Sequence, residues 1–228
     1  MILIGFAVLC LFFELYSNRR NLNFVWSVWS RFRFVMLLEV LCLIAVVLTA
    51  YLVLVETFPV LAYGWTSLSV KNGTNIFLAP ATLTGKNEHS GTRLFGVIFI
   101  LLFLIAIPFL AKAEEDLFRR GKSDRRSIIF NSITFGLAHL IAGVPLAAAL
   151  ALILTGFFYA AKYLKKYRSV SQMAIKKLIE SSDLTEIHEE AYRALEKNSR
   201  DEAVMESTVY HALYNSILVG IFLITILI

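Results

Sequence analysis

Long apolar runs alternate along this chain with short, charge-rich segments. A helix crosses the ~30 Å hydrocarbon core of a bilayer with about 20 mostly apolar residues. Six segments meet or approach that length: about Met1–Tyr16, Phe34–Val55, Leu94–Ala113, Ser127–Val144, Pro145–Tyr163 and Ser207–Ile228. The pattern predicts an all-α fold, a polytopic membrane bundle of about six spanning helices. AGVP, at 142–145, is the only link between the fourth and fifth segments and reads as a tight Gly/Pro turn. Between the last two, residues 165–206 mix charges of both signs, with Ile175, Leu178, Ile179, Leu184 and Ile187 at near-helical spacing. They are expected to form a charged cytoplasmic helical insert, either folded on itself or serving as a docking surface for a protein partner. The expected division is 1–93, two membrane helices plus an external loop, and 94–228, a four-helix core carrying the insert.

Composition supports a membrane class. The chain is 58% hydrophobic and 17% charged over 228 residues, with a mean hydropathy of +0.70, beyond the usual range of soluble domains. A net charge of +5 would suit nucleic acid, but the basic residues cluster beside apolar runs, where bilayer orientation explains them. No nucleic-acid partner is expected. Cys10 and Cys42 both fall in apolar segments, giving neither a disulfide framework nor a metal clip. The first apolar run lacks a basic start and a small-residue cleavage site, so it reads as a retained helix.

Charge then sets orientation. Arg19, Arg20, Arg31 and Arg33 follow the first segment, Arg119, Arg120, Lys122, Arg125 and Arg126 the third, and Lys162, Lys165, Lys166 and Arg168 the fifth. All three clusters lie on the cytoplasmic side if both termini are outside. The loop 57–93 is then external. Its Asn72-Gly73-Thr74 fits a glycosylation sequon, but an Asn-Gly turn is the preferred reading. Trp26 and Trp29, with Phe24, Phe32 and the arginines, form an expected interfacial belt.

Candidate chemistry comes from polar groups placed in apolar surroundings, where an unpaired polar side chain is costly. His139 lies in ITFGLAHLIAG, and His211 in STVYHALYNSILVG with Asn215 one turn on. AEEDLFRRG closes the third apolar run. Glu115 and Arg119 are spaced i,i+4 in the favourable order and predict an ion pair. Glu114 points about 100° away and is left as the free carboxylate. Phe135 and His139 share one helix face, as do His211 and Asn215.

Three spacings, EExxxR at Glu114-Glu115-x-x-x-Arg119, FxxxH at Phe135-x-x-x-His139 and HxxxN at His211-x-x-x-Asn215, occur in this order on separate helices. From about Leu94 onward the chain resembles the CAAX protease and bacteriocin-processing family of glutamic-type intramembrane endopeptidases. That resemblance implies Glu114 as general base for a water, His139 holding that water, and His211 and Asn215 as donors to the oxyanion. Glu115, Arg119 and Phe135 would give structural support. The implied substrate is a peptide, or a lipidated or membrane protein, cut near the cytoplasmic surface, with CAAX-type C-terminal processing as one candidate.

Physical chemistry reaches compatible roles, since a carboxylate in a water-poor cavity suits a general base and fixed neutral donors meet developing negative charge. Such a site needs a water-filled cavity open to the cytoplasm. Glu114, His139 and His211 include zinc-binding residue types, but with no HExxH and no cysteine nearby no metal cofactor is expected. Two alternatives use the same residues: a non-catalytic membrane subunit or bacteriocin-immunity protein that keeps the polar groups as glue, and a transporter with a Glu/His proton relay.

Overall fold

The structure, a computed structural model, describes the backbone of residues 2–64, 90–181 and 189–227. The external loop with Asn72-Gly73-Thr74, and Leu184 and Ile187 of the charged segment, lie outside the described residues. Within them every regular element is helical: α1 (Ile2–Asn18), α2 (Asn23–Trp29), α3 (Phe34–Thr57), a 3₁₀ turn (Pro59–Ala62), α4 (Ser90–Phe118), α5 (Arg125–Ala138), α6 (Leu146–Ser181) and α7 (Glu189–Leu227). Four stretches are long and apolar enough to cross a membrane: Phe34–Thr57, Gly96–Phe118, Leu146–Lys176 and Glu189–Ile224. This is a helical bundle of membrane character.

Burial along α3 shows why it packs as it does. Met36, Val40, Leu43 and Val47 are buried at steps of four, three and four residues, forming one helical stripe. The opposite face is equally apolar yet exposed, with Val35, Leu38, Val46 and Val53 outward. On α4, Ile98, Leu101 and Ile105 do the same. A helix apolar all round, with half its surface uncovered, fits hydrocarbon and not water. α6 packs against α3, α5 and α7, and α7 also packs against α3 and α4, while α1 and α2 lie on α4. Of the residues expected in an interfacial belt, Trp26 and Phe32 are exposed, whereas Phe24 and Trp29 pack against the core; Cys10 and Cys42 are free thiols.

Two expected elements differ. The fourth apolar segment, read as a span over Ser127–Val144, is helical only from Arg125 to Ala138, which is 14 residues. Its start is set by the Asp124 carboxylate, which accepts from the Ser127 N–H at 2.9 Å. Beyond Ala138 the chain tightens through i→i+3 bonds, Ala142 N to His139 O and Gly143 N to Leu140 O, both 3.0 Å. The turn then closes at Gly143 with φ 83. His139 therefore sits at the C-cap of α5 and not inside the helix. The charged segment 165–206 also differs from a separate insert. α6 runs unbroken for 36 residues and α7 for 39, about 54 and 58 Å at ~1.5 Å per residue, well beyond the ~30 Å core. Neither Gly nor Pro interrupts 157–181 or 189–219, and i,i+4 pairs such as Glu189–Arg193 and Glu196–Arg200 support the polar turns. The described charged residues, 165–181 and 189–206, are thus extensions of the two apolar helices.

One end of the bundle is belted by ion pairs. Arg31 bonds Glu202 through both guanidinium nitrogens, at 2.7 and 2.9 Å, and that bonding raises the arginine further above its ordinary value. Arg33 pairs with Glu206, Arg120 with Asp201, and Lys162 with Glu39. Basic residues from the three separate sequence clusters are thereby gathered at one level.

α5 and α6 approach closely. A Cβ on Gly156 would lie 2.7 Å from the Ser132 carbonyl oxygen, and one on Gly136 would lie 2.6 Å from that of Ala149. Small residues allow such backbone contact between membrane helices. Gly156→Ala is therefore expected to destabilise the bundle by about 1–3 kcal/mol through overpacking. Gly220→Ala, where nothing lies within 4 Å of the added carbon, should be neutral or mildly stabilising. Thermal unfolding of the two variants in detergent checks this; equal midpoints would refute the close-contact role.

Candidate functional site

The end of α4 carries Glu114 and Glu115, and the turn after it Arg119, toward the middle of α7. Glu115 is fully buried, and its Oε1 lies 2.9 Å from His211 Nδ1. Its other oxygen, Oε2, is 3.6 Å from Arg119 Nε, so the predicted i,i+4 ion pair is present but long. Glu114 is placed differently, with its side chain 35% exposed and Oε2 3.7 Å from His211 Nε2. The single imidazole of His211, 2% exposed, therefore faces one buried and one accessible carboxylate, one at each ring nitrogen.

This arrangement constrains the protons. An ionised Glu115 can only accept, so His211 Nδ1 is then the donor. In the neutral imidazole Nε2 would be an acceptor, and only the imidazolium would donate from both nitrogens. The 3.7 Å separation from Glu114 exceeds direct hydrogen-bond range and suits a bridging water.

Aromatic contacts fix the ring orientations. His211 stacks on Tyr159 of α6, with centroids 4.7 Å apart and planes at 19°. Phe135 of α5 meets His211 edge-on at 5.6 Å and Tyr159 at 5.9 Å. The Arg119 guanidinium carbon lies 4.2 Å over the Phe135 ring, a cation–π contact strengthened by desolvation, and Arg119 also donates to the Gly156 carbonyl at 3.3 Å. Phe135 is thus the common floor for Arg119, His211 and Tyr159.

His139 reaches the cluster only through that floor. Its ring is 4.9 Å from Phe135, and its Nδ1 lies 2.8 Å from the Phe135 carbonyl oxygen. A carbonyl accepts, so Nδ1 carries a proton in this contact. Asn215 follows His211 by one helical turn and is half-buried, without a hydrogen bond among the described residues. The structure thus brings Glu114, Glu115, Arg119, Phe135 and His211 into direct contact, sets His139 beside Phe135, and leaves Asn215 deeper along α7.

Tyr159 belongs to this cluster and escaped the sequence reading. Its signal was a hydroxyl within the apolar run LTGFFYAAKY, the same criterion that singled out His139. Tyr159 Oη, Glu115 Oε2 and Arg119 Nη1 are all buried without a hydrogen-bond partner. Such atoms usually find a water or a ligand. Among the described residues no group of three His, Cys, Asp or Glu side chains is placed to hold a metal ion.

Comparison with protein-family models, with curated proteins and with solved structures returns no match.

Proposed function

We propose that the chain is a membrane-embedded endopeptidase of the CAAX protease and bacteriocin-processing type. It would hydrolyse a peptide bond near the cytoplasmic surface of a peptide, or of a lipidated or membrane protein substrate. The observation that carries this reading is the His211 imidazole held between buried Glu115 and accessible Glu114. It joins the first and third of the resembling motifs, while Phe135 links the second to both. Six passages of the bilayer, with α1 and α5 as the shorter ones, belong to this reading. Both termini are then outside, and the ion-pair belt is cytoplasmic.

In the proposed reaction a water sits between Glu114 Oε2 and His211 Nε2. Glu114 takes its proton as the water oxygen bonds to the substrate carbonyl carbon, and the carbonyl becomes an oxyanion. His211, held through Nδ1 by Glu115, would donate from Nε2 to that oxyanion, with Asn215 as the second donor. Collapse breaks the C–N bond, and Glu114 returns its proton to the departing amine. His139, set beside Phe135, is the residue to which the resemblance assigns the orienting of that water. No metal takes part in these steps.

A second reading is favoured by the cluster itself. Buried Glu115, His211 and Arg119 join α4 to α7, and polar groups of this kind also serve as interhelical glue in a non-catalytic membrane subunit or immunity protein. The two readings part at Glu114, which is too exposed to be needed for packing.

For the endopeptidase, Glu114→Gln is expected to lower kcat/KM by roughly 10²–10⁴-fold with an unchanged melting temperature. The assay is cleavage of prenylated and unprenylated C-terminal peptides by the full chain in proteoliposomes. Wild-type turnover in the variant would exclude the assigned base. Arg119→Ala should act on stability instead, at about 3–5 kcal/mol, because it removes a buried guanidinium from Glu115, Phe135 and the Gly156 carbonyl at once. Detergent unfolding measures that loss, and a shift under ~1 kcal/mol would show that the Glu115 charge does not depend on it.

A further inference from the structure

A second cavity, of about 370 Å³, opens where α3, α6 and α7 meet on the belted end of the bundle. Its charged lining is Arg33, Lys162, Lys165 and Lys166, set against Glu39 and Glu206. Both carboxylates are already engaged: Glu206 by Arg33, and Glu39 by Lys162 at 2.5 Å and by the Tyr210 hydroxyl. Lys165 and Lys166 form no ion pair or hydrogen bond among the described residues. Lys165 and Lys166 act on Glu39 and Glu202 only through longer-range charge, and four cations against two carboxylates leave the lining with an excess of positive charge.

The cavity is also amphiphilic. Val35 and Met36 line it, and Val35 is 63% exposed at the start of α3, followed along that helix by the outward apolar face of Leu38, Leu41 and Val46. A ligand with its anion on the lysines would lay any attached chain along hydrocarbon-facing α3. Lys162 caps the inner wall, 4.9 Å over Phe158 and 4.6 Å over Tyr210.

We propose that this cavity is a binding site for the phosphate head group of an anionic phospholipid, with its acyl chains running along α3. Basic pockets between membrane helices recognise lipid phosphates by charge, and each Lys or Arg near an anionic head group adds appreciably to affinity. Tyr210 adjoins His211, and Phe158 adjoins Tyr159, so the pocket and the His211 cluster occupy neighbouring faces of the same two helices. The assignment does not rest on the protease reading, and its test measures binding alone.

The experiment titrates the full chain in neutral detergent with dioctanoyl phosphatidylglycerol, dioctanoyl phosphatidylcholine and inorganic phosphate, and follows bound lipid by native mass spectrometry. Phosphatidylglycerol should bind at least tenfold more tightly than phosphatidylcholine. Lys165→Gln with Lys166→Gln should weaken it about 30-fold. Arg125→Gln with Arg126→Gln removes the same charge from an exposed site elsewhere and should weaken it less than twofold. Equal losses from the two pairs, or no preference for the anionic lipid, would overturn the site. Displacement by inorganic phosphate at the same concentration would overturn the lipid assignment in favour of free phosphate.

Discussion

The structure turns on a polar contact buried between helices far apart in sequence, Glu115 against His211. Taking a carboxylate out of water is costly unless charge and hydrogen bonding replace the solvent. Here His211 Nδ1 meets one oxygen at 2.9 Å, and Arg119 stands 3.6 Å from the other. Because Glu115 is fully enclosed, α4 and α7 have little freedom to slide or rotate about this point. The register of the motif residues follows from it: with Glu115 turned inward, its neighbour Glu114 points toward the more accessible side, facing the other ring nitrogen of the same histidine.

The second constraint is steric. Gly136 and Gly156 let α5 and α6 touch backbone to backbone, which brings Phe135 and Tyr159 into edge contact. Those two rings hold His211 from below and beside, so the imidazole is oriented by apolar packing as much as by its carboxylate. Arg119 over Phe135 closes the cluster. Polar and aromatic contacts thus fix the orientation of the His211 ring.

The long polar ends of α6 and α7 have a separate physical basis. Once a helix leaves hydrocarbon, its propagation depends on local propensity and side-chain pairs. Both helices continue through residues that favour it. Ion pairs from α2–α3 and α4 reach α7 at residues 201–206, so the first polar turns of the hairpin are tied to the bundle. The same belt surrounds the basic cavity beside α3, placing a cationic pocket and the His211 cluster at one end of the molecule.

Much of this was legible in the residues. Hydropathy located four of the helices as long and apolar enough to cross a bilayer, because helix length in hydrocarbon is set by thickness, while the first and fourth of the six apolar segments form shorter helices. Spacing alone placed Glu115 opposite Arg119 and left Glu114 apart, because helical periodicity is local. Charge grouping anticipated that Arg31, Arg33, Arg120 and Lys162 share a level. The tertiary structure decided what local rules do not reach. It ended α5 at Ala138, since the turn bonds after His139 depend on the return into α6. It carried α6 and α7 through the charged segment, since alternating charge reads equally well as a separate hairpin or as a helix extension. It gave His211 to Glu115, and it added Tyr159, because a cross-helix contact depends on how backbones approach. No spacing within one helix encodes that distance.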